Sequence, residues 1–181
     1  LLTDDSDVNN TTLFYARKGM EEWERVVEIG LSEGDNMFAH PAWSPDGSRL
    51  YFSSDMPGGQ GGMDLWYIRR NGTTWEYPPV NMGPKVNSRG DDVFPSMKGN
   101  DTLFFASDAQ ITFGGLDILF SVRDSTGAWG SPMHLDYPLN SQSDDFALTF
   151  NPDGKSGLVS SDRFGYDRLF NFNIVERPLL V

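Results

Sequence analysis

A chain of 181 residues with a formal net charge of −12 and no cysteine is long enough for one domain with a real core. Its acidity argues against phosphate backbones and anionic membrane surfaces as partners, while leaving cationic partners or calcium open. The missing cysteine excludes disulfides, thiolate zinc sites and a cysteine nucleophile. No apolar run approaches the ~18–20 residues of a membrane-spanning helix. The opening LLTDDSDVNN turns acidic at once, unlike a signal peptide, and a start without Met is expected of a processed or excised segment.

Taken in chain order, the first patterned stretch is TTLFYARKGMEEWERVV, which ends near a tryptophan, Trp23. The segment GMEEWERVVEIG comes closest to a helical period, but it aligns with later tryptophan elements that read as strand. Next come DNMFAHPAWSPDGSRLYFSSD, ending at Asp55, then GGMDLWYIRR, opening on Asp64 after two glycines, then TTWEYPPVNMG around Trp75. The series recurs as DDVFPSMKGNDTLFFASD (to Asp108), GGLDILFSVR (Asp117) and GAWGSPMHLDY (Trp129). A third pass gives DDFALTFNPDGKSGLVSSD (to Asp162) and GYDRLFNFN (Asp167). One unit thus repeats about every 53 residues, and such repeats are the first thing a sequence should be searched for.

The runs are short, rich in aromatic and β-branched residues, and punctuated by Pro-Asp-Gly, Gly-Gly or Asn-Gly, which is strand and turn chemistry. RLYFSS and TLFFAS carry apolar residues on both faces, as expected of strands buried between two layers. Four short strands per repeat predict an all-β fold, a β-propeller of four-stranded antiparallel blades. The expected blade parts are 1–34, 35–87, 88–140 and 141–175, about three and a half blades, with 176–181 as an exit segment or linker. The first part should hold the third and fourth strands of its blade. Closure of a ring needs either more chain or a second copy, since propellers usually have about 4–8 blades.

The joint pattern of Pro-Asp-Gly turn, Ser-Ser-Asp strand end, Gly-Gly-hydrophobic-Asp and tryptophan resembles the WD40-like repeat of TolB-type periplasmic propellers. The resemblance spans about Thr12 to Asn173. It is closer still to the Bacteroidetes version, in which such blades accompany an OmpA-like peptidoglycan-binding module and which includes a type IX secretion component. It implies a non-enzymatic, outer-membrane-associated periplasmic scaffold that binds other envelope proteins. The second full copy departs from the pattern with MKGNDT in place of Pro-Asp-Gly. Peptidoglycan would be reached only through modules outside these residues.

Candidate sites weigh the same way. His40, Ser44 and nearby aspartates suggest a hydrolytic triad, but on a strand His40 and Ser44 lie about 13 Å apart, beyond the contact a nucleophile and base need. The loop PGGQGGMD lacks the Gly-Lys-Ser/Thr ending of a phosphate loop and precedes a strand. Asp55, Asp108 and Asp162 end second strands, while Asp64, Asp117 and Asp167 open third strands. Each pair either caps backbone N–H groups or converges on calcium, which takes six to eight oxygens. Asp91-Asp92 and Asp144-Asp145 are adjacent, so each pair points to opposite faces of a strand, which disfavours a glycosidase pair. Trp23, Trp75 and Trp129 share one repeat position and read as core or blade-to-blade packing. Ile111 and Phe113 interrupt a loop that is otherwise glycine-rich and are the candidate partner contacts. His40 has no counterpart in the later copies, and its role is open. The expectation is a protein-interaction scaffold without cofactor; the alternatives are a carbohydrate-binding or glycosidase propeller and a calcium-stabilised structural module.

Overall fold

Runs with apolar residues on both faces can be stable only between two layers, and the strands they form are stacked that way. The computed structural model describes residues 2–7, 10–31, 34–110 and 112–175. Within them, β1 (Leu2–Asp7), β2 (Asn10–Tyr15) and β3 (Val27–Ile29) form one antiparallel sheet. The second sheet holds β4 (Phe38–Trp43), β5 (Arg49–Ser54), β6 (Asp64–Asn71) and β7 (Thr74–Asn81). The third holds β8 (Asp92–Lys98), β9 (Thr102–Ser107), β10 (Asp117–Val122) and β11 (Met133–His134), and the fourth holds β12 (Asp145–Phe150), β13 (Ser156–Ser161) and β14 (Arg168–Asn173). Within each sheet every strand pairs with the one before it, so every sheet is a meander. The fold is a partial β-propeller.

The first sheet differs from expectation by one strand. β2 and β3 are its third and fourth strands, and β1 stands before them, paired Leu2 to Phe14 and Asp4 to Thr12. The acidic run LTDDSD has no apolar alternation for a sequence pattern to register; main-chain pairing makes it a strand. GMEEWERVVEIG is not helical, and Trp23 forms a lone bridge to Lys18. The same cross-strand relation joins Trp75 to Arg70 and Trp129 to Arg123.

The sheets stack through three apolar junctions. The first centres on Leu13, Leu50, Phe52 and Ile68, the second on Leu65, Leu103 and Phe105, the third on Phe104, Ile118, Leu148 and Val159. Burying side chains such as Phe52 and Phe105 contributes roughly 1.5–3 kcal/mol each. The first strands β4, β8 and β12 approach one another although they belong to different sheets. They form the inner wall from which the sheets radiate.

The glycines before Asp64 and Asp117 serve this stacking. A Cβ on Gly61 or Gly114 would run into the main chain of the next sheet at Gly90 or Ser143, and one on Gly62 or Gly115 into the carboxylate of Asp91 or Asp144. The sequence marks these positions as turn glycines. Their physical requirement is close approach between neighbouring blades.

Candidate interaction site

The histidine and serines of HPAWSPDGSRLYFSSD do not assemble a triad. The Ser44 hydroxyl donates to Asp46 at 2.6 Å and accepts the Arg49 N–H at 2.9 Å, closing the turn between β4 and β5. Hydrogen bonds from Ser44 and Ser48 hold the exposed Asp46 carboxyl at about 2, below the usual carboxylate range. His40 turns elsewhere: its Nδ1 lies 3.4 Å from the buried Ser53 hydroxyl, and among the described residues no carboxylate meets it.

His40 belongs instead to the inner wall. Each first strand carries a β-bulge, between Ala39 and Ala42, Val93 and Ser96, and Phe146 and Thr149. One residue in each bulge is left-handed: His40 (φ 52°), Phe94 (φ 53°) and Ala147 (φ 51°). Left-handed non-glycine residues are uncommon and cost about 1–3 kcal/mol, so three at one repeat position mark a feature the fold maintains. Bulges re-aim side chains, and here they bring rings together: His40 stacks on Phe94 at 3.7 Å between centroids, and Phe94 lies 5.0 Å from Phe146. His40 and Phe94 border a cleft of about 400 Å³ that also includes Trp43, Ser96, Ala147 and Thr149. Burial lowers the His40 pKa to about 4, so the ring is neutral near pH 7.

The repeated aspartates bind main-chain amides. Asp55, Asp108 and Asp162 accept N–H groups at the start of their own sheet's first strand, from Met37 (2.7 Å), Asp91 (2.8 Å) and Asp144 (2.9 Å). Asp91 and Asp144 then accept the N–H groups of Met63 and Leu116, one sheet back, at 2.8 Å each. The result is a relay that runs within and between blades. Asp64 is fully buried and accepts from Gln60 N–H (2.6 Å), Gly61 N–H (3.1 Å) and the Asn81 amide (2.8 Å). Asp117 does the same with the amides of Phe113 and Gly114, and lies 3.4 Å from His134.

Asp167 does not join this set. By pairing register Arg168, not Asp167, stands opposite Ser161, where Asp64 faces Ser54 and Asp117 faces Ser107. Asp167 is exposed, because the last connection is a shorter hairpin closed by Gly165 N–H on the Asp162 carbonyl. These carboxylates face N–H donors, the opposite of a cation shell. No group of three or more His, Asp or Glu among the described residues is placed to hold a metal.

Two further residues escaped the sequence reading. Asn87 and Asn140 are buried, and each bonds both the N–H and the carbonyl of a third-strand residue, Leu65 and Ile118 respectively. Their signal is the repeated Asn-Ser before Asp91-Asp92 and Asp144-Asp145. The two aspartates of each adjacent pair separate as expected. Asp92 accepts the Ser88 N–H, and Asp145 accepts that of Ser141 and pairs with Arg163 at 2.6 Å.

The tryptophans divide. Trp75 stacks on Trp43 at 5.5 Å and meets Tyr15 edge-on at 6.0 Å, across the first junction. Trp129 packs into the second junction beneath the Arg123 guanidinium. Trp23 is 67% exposed, against the packing expected of it, because no sheet lies beyond the first one among the described residues.

The end of the sheets that carries the second-to-third-strand connections also carries exposed aromatics. Phe113 is 56% and Tyr137 78% exposed, and together with Asn140, Ser141 and Gln142 they border a concavity of about 360 Å³. The Phe113 ring rests edge-on against His134 at 4.6 Å, above the buried Asp117. Ile111, its expected companion, lies outside the described residues.

No protein-family model matches the chain, and no curated protein matches it. Solved structures do. TolB from Acinetobacter baumannii matches with TM-score 0.56 at 17% identity, over 91% of this chain and 35% of that one. A putative TolB from Agrobacterium tumefaciens matches with TM-score 0.59 at 13% identity, over 91% of this chain and 54% of that one. The chain thus spans between a third and about half of the TolB chains it matches. A prolyl endopeptidase gives a TM-score of 0.48 over 24% of its chain, too weak a likeness to argue from. The chain is a partial β-propeller with the fold seen in TolB.

Proposed function

We propose that the chain is the propeller segment of a bacterial envelope protein, a non-enzymatic scaffold that binds other envelope proteins in the periplasm. The resemblance of its motifs to the Bacteroidetes OmpA-associated repeats, and to the type IX secretion component PorE, extends the reading to an outer-membrane or secretion complex. In that setting the ring is completed by further chain or by a second copy. The observation that carries the proposal is the pair of exposed aromatics, Phe113 and Tyr137, set over buried polar groups. Asp117 and Asn140 fix the backbone beneath them, and His134 meets both of their side chains. Aromatics held above a hydrogen-bonded polar layer have the character of interface hot spots, where one truncation costs about 2 kcal/mol or more.

The test replaces both residues, Phe113→Ser with Tyr137→Ser, in the full-length protein and follows cross-linking to envelope proteins. A defined cross-linked partner should be lost while the melting temperature stays within about 2 °C, a change small for surface substitutions. Unchanged cross-linking would remove this surface from the proposal. Turnover of glycan substrates by the unaltered protein would remove the non-enzymatic reading and favour the glycosidase alternative.

A further inference from the structure

Three arginines and two tyrosines converge on the second junction, at the end of the sheets opposite Phe113 and Tyr137. Arg49 opens β5 and stands directly across from Arg69 on β6, and the next pair on that face is Tyr51 across from Tyr67. Directly opposed residues of an antiparallel pair are side-chain neighbours, and like charges there repel. Both guanidiniums lie 5.7 Å from the centre of the Tyr67 ring, and the two tyrosine rings are 5.8 Å apart. The third arginine, Arg123, comes from the neighbouring sheet, just past β10. Its guanidinium lies 4.3 Å from the Trp129 ring, and its Nη2 donates to the Tyr51 hydroxyl at 3.0 Å.

What this cluster lacks is an acceptor. Each phenol accepts from an arginine, Tyr51 from Arg123 and Tyr67 from Arg69 at 3.3 Å, and neither hydroxyl donates to an acceptor among the described residues. The Nε of Arg123 is buried and has no hydrogen-bond partner. No carboxylate forms an ion pair with Arg49, Arg69 or Arg123 among the described residues. Glu76 stands across from Arg69 in register without pairing to it. Asp46 and Asp124 are already bonded within their own turns, to Ser44 and Ser48 and to Thr126 and Ala128. A buried donor without an acceptor is destabilising, and so is the like-charge pair, in a chain whose net charge of −12 leaves it many acids to offer.

We propose that this cluster is an oxyanion site between the second and third sheets, and that its ligand is a phosphate group. Guanidinium forks match the oxygens of carboxylate and phosphate alike. Phosphate suits this set better, because it brings a charge of about −1.5 to −2 and three strong acceptor oxygens to face three cations and two hydroxyls. Bound there, it offsets the repulsion between Arg49 and Arg69 and supplies the acceptor that the donors lack. Contacts from both sheets make it a clasp across the junction, so binding stabilises the fold by mass action. The acidity of the whole chain still repels extended phosphate backbones; this site takes a single group where the local field is positive. A phosphate free in solution and one esterified to a larger molecule share this chemistry. The site lies apart from Phe113 and Tyr137, so its failure would leave the scaffold reading untouched.

The test titrates inorganic phosphate into the full chain by isothermal calorimetry at low ionic strength, with acetate and chloride at matched ionic strength for comparison. Saturable phosphate binding is expected, with acetate and chloride weaker by about tenfold or more. Arg49→Gln and Arg69→Gln should each weaken phosphate by about tenfold, and Tyr51→Phe, which removes only the hydroxyl, should weaken it several-fold. Without phosphate, the two arginine replacements should leave the melting temperature unchanged or raise it, since each removes one of two opposed like charges. Absence of saturable binding overturns the proposal, as does binding that acetate matches or that the arginine replacements leave intact. A melting temperature lowered by both replacements in phosphate-free buffer also overturns it, because the arginines would then serve the fold itself. Glycerol phosphate in the same titration separates the two sources: tighter binding than inorganic phosphate assigns an esterified group, and weaker binding assigns the free ion.

Discussion

The second and third junctions hold equivalent sheets together by different means. At the second, Trp129 fills the aromatic seat, while the buried carboxylate of Asp92 meets the Ser88 N–H but no cation, and one of its oxygens has no partner among the described residues. At the third, no tryptophan fills that seat among the described residues, while the matching carboxylate, Asp145, is paired with Arg163, whose guanidinium also donates to the carbonyls of Pro138 and Leu139. One junction relies on apolar filling, and the other on a partly buried ion pair of the fourth sheet whose guanidinium also holds the connection from the third. A repeat constrains where a contact is made; it leaves open the chemistry that makes it.

The largest effect should come from breaking the strap. Arg163→Met leaves Asp145 buried and unpaired, which typically costs about 3–5 kcal/mol. Urea denaturation should show a loss of that size, and Asp145→Asn added to it should recover part. A loss below about 0.5 kcal/mol, the range of ordinary surface changes, would mean the ion pair does not hold the third junction. Next in size is Trp129→Ala, which would empty the aromatic seat of the second junction. Truncating a packed tryptophan costs roughly 3–5 kcal/mol when fully buried, and the partly buried Trp129 should fall toward or below the lower end. Trp23→Ala, at the same repeat position but exposed, should stay within about 0.5 kcal/mol. Equal losses at the two positions would break the comparison.

A further effect concerns pH, and it separates the inner ends of the two junctions. The second has a titratable ring, His40 on Phe94, and the third has only Phe94 and Phe146. Burial sets the His40 pKa at about 4 in the folded chain, below its ordinary 6.5. The unfolded chain therefore binds the proton more readily. Stability is fully present above pH 6.5 and declines as pH falls through that value toward 4, by something on the order of 1–3 kcal/mol. His40→Asn, a residue tolerant of left-handed backbone, should flatten this slope in denaturation midpoints taken between pH 4 and 7. Asp92 acts with the opposite sign. Burial raises its pKa above 3.8, so its contribution is full below that value and is lost as pH rises through the folded pKa.

Much of this architecture was legible because it repeats. The copies ending in Asp55, Asp108 and Asp162 gave strand boundaries, and their structural role as amide caps follows from turn chemistry that a sequence displays. The copy at Asp167 misled, since sequence likeness there is offset by one residue from the hydrogen-bonding register. Register depends on loop length and pairing, and the last hairpin is shorter. β1 was invisible because its residues carry no apolar pattern. The burial of Asn87 and Asn140 was hidden for another reason: a polar residue in a loop looks solvated until the neighbouring sheet closes over it.

The sequence by itself determined the strand content, the period and the turns, because these are local consequences of side-chain shape and backbone preference. It also determined that His40 and Ser44 are too far apart along a strand to act together. Tertiary structure alone decided where His40 goes, because the bulges at His40, Phe94 and Ala147 aim residues far apart in sequence at a common wall. It alone decided that Trp23 is exposed while Trp75 and Trp129 are packed, since burial depends on whether a neighbouring sheet is present to receive the ring.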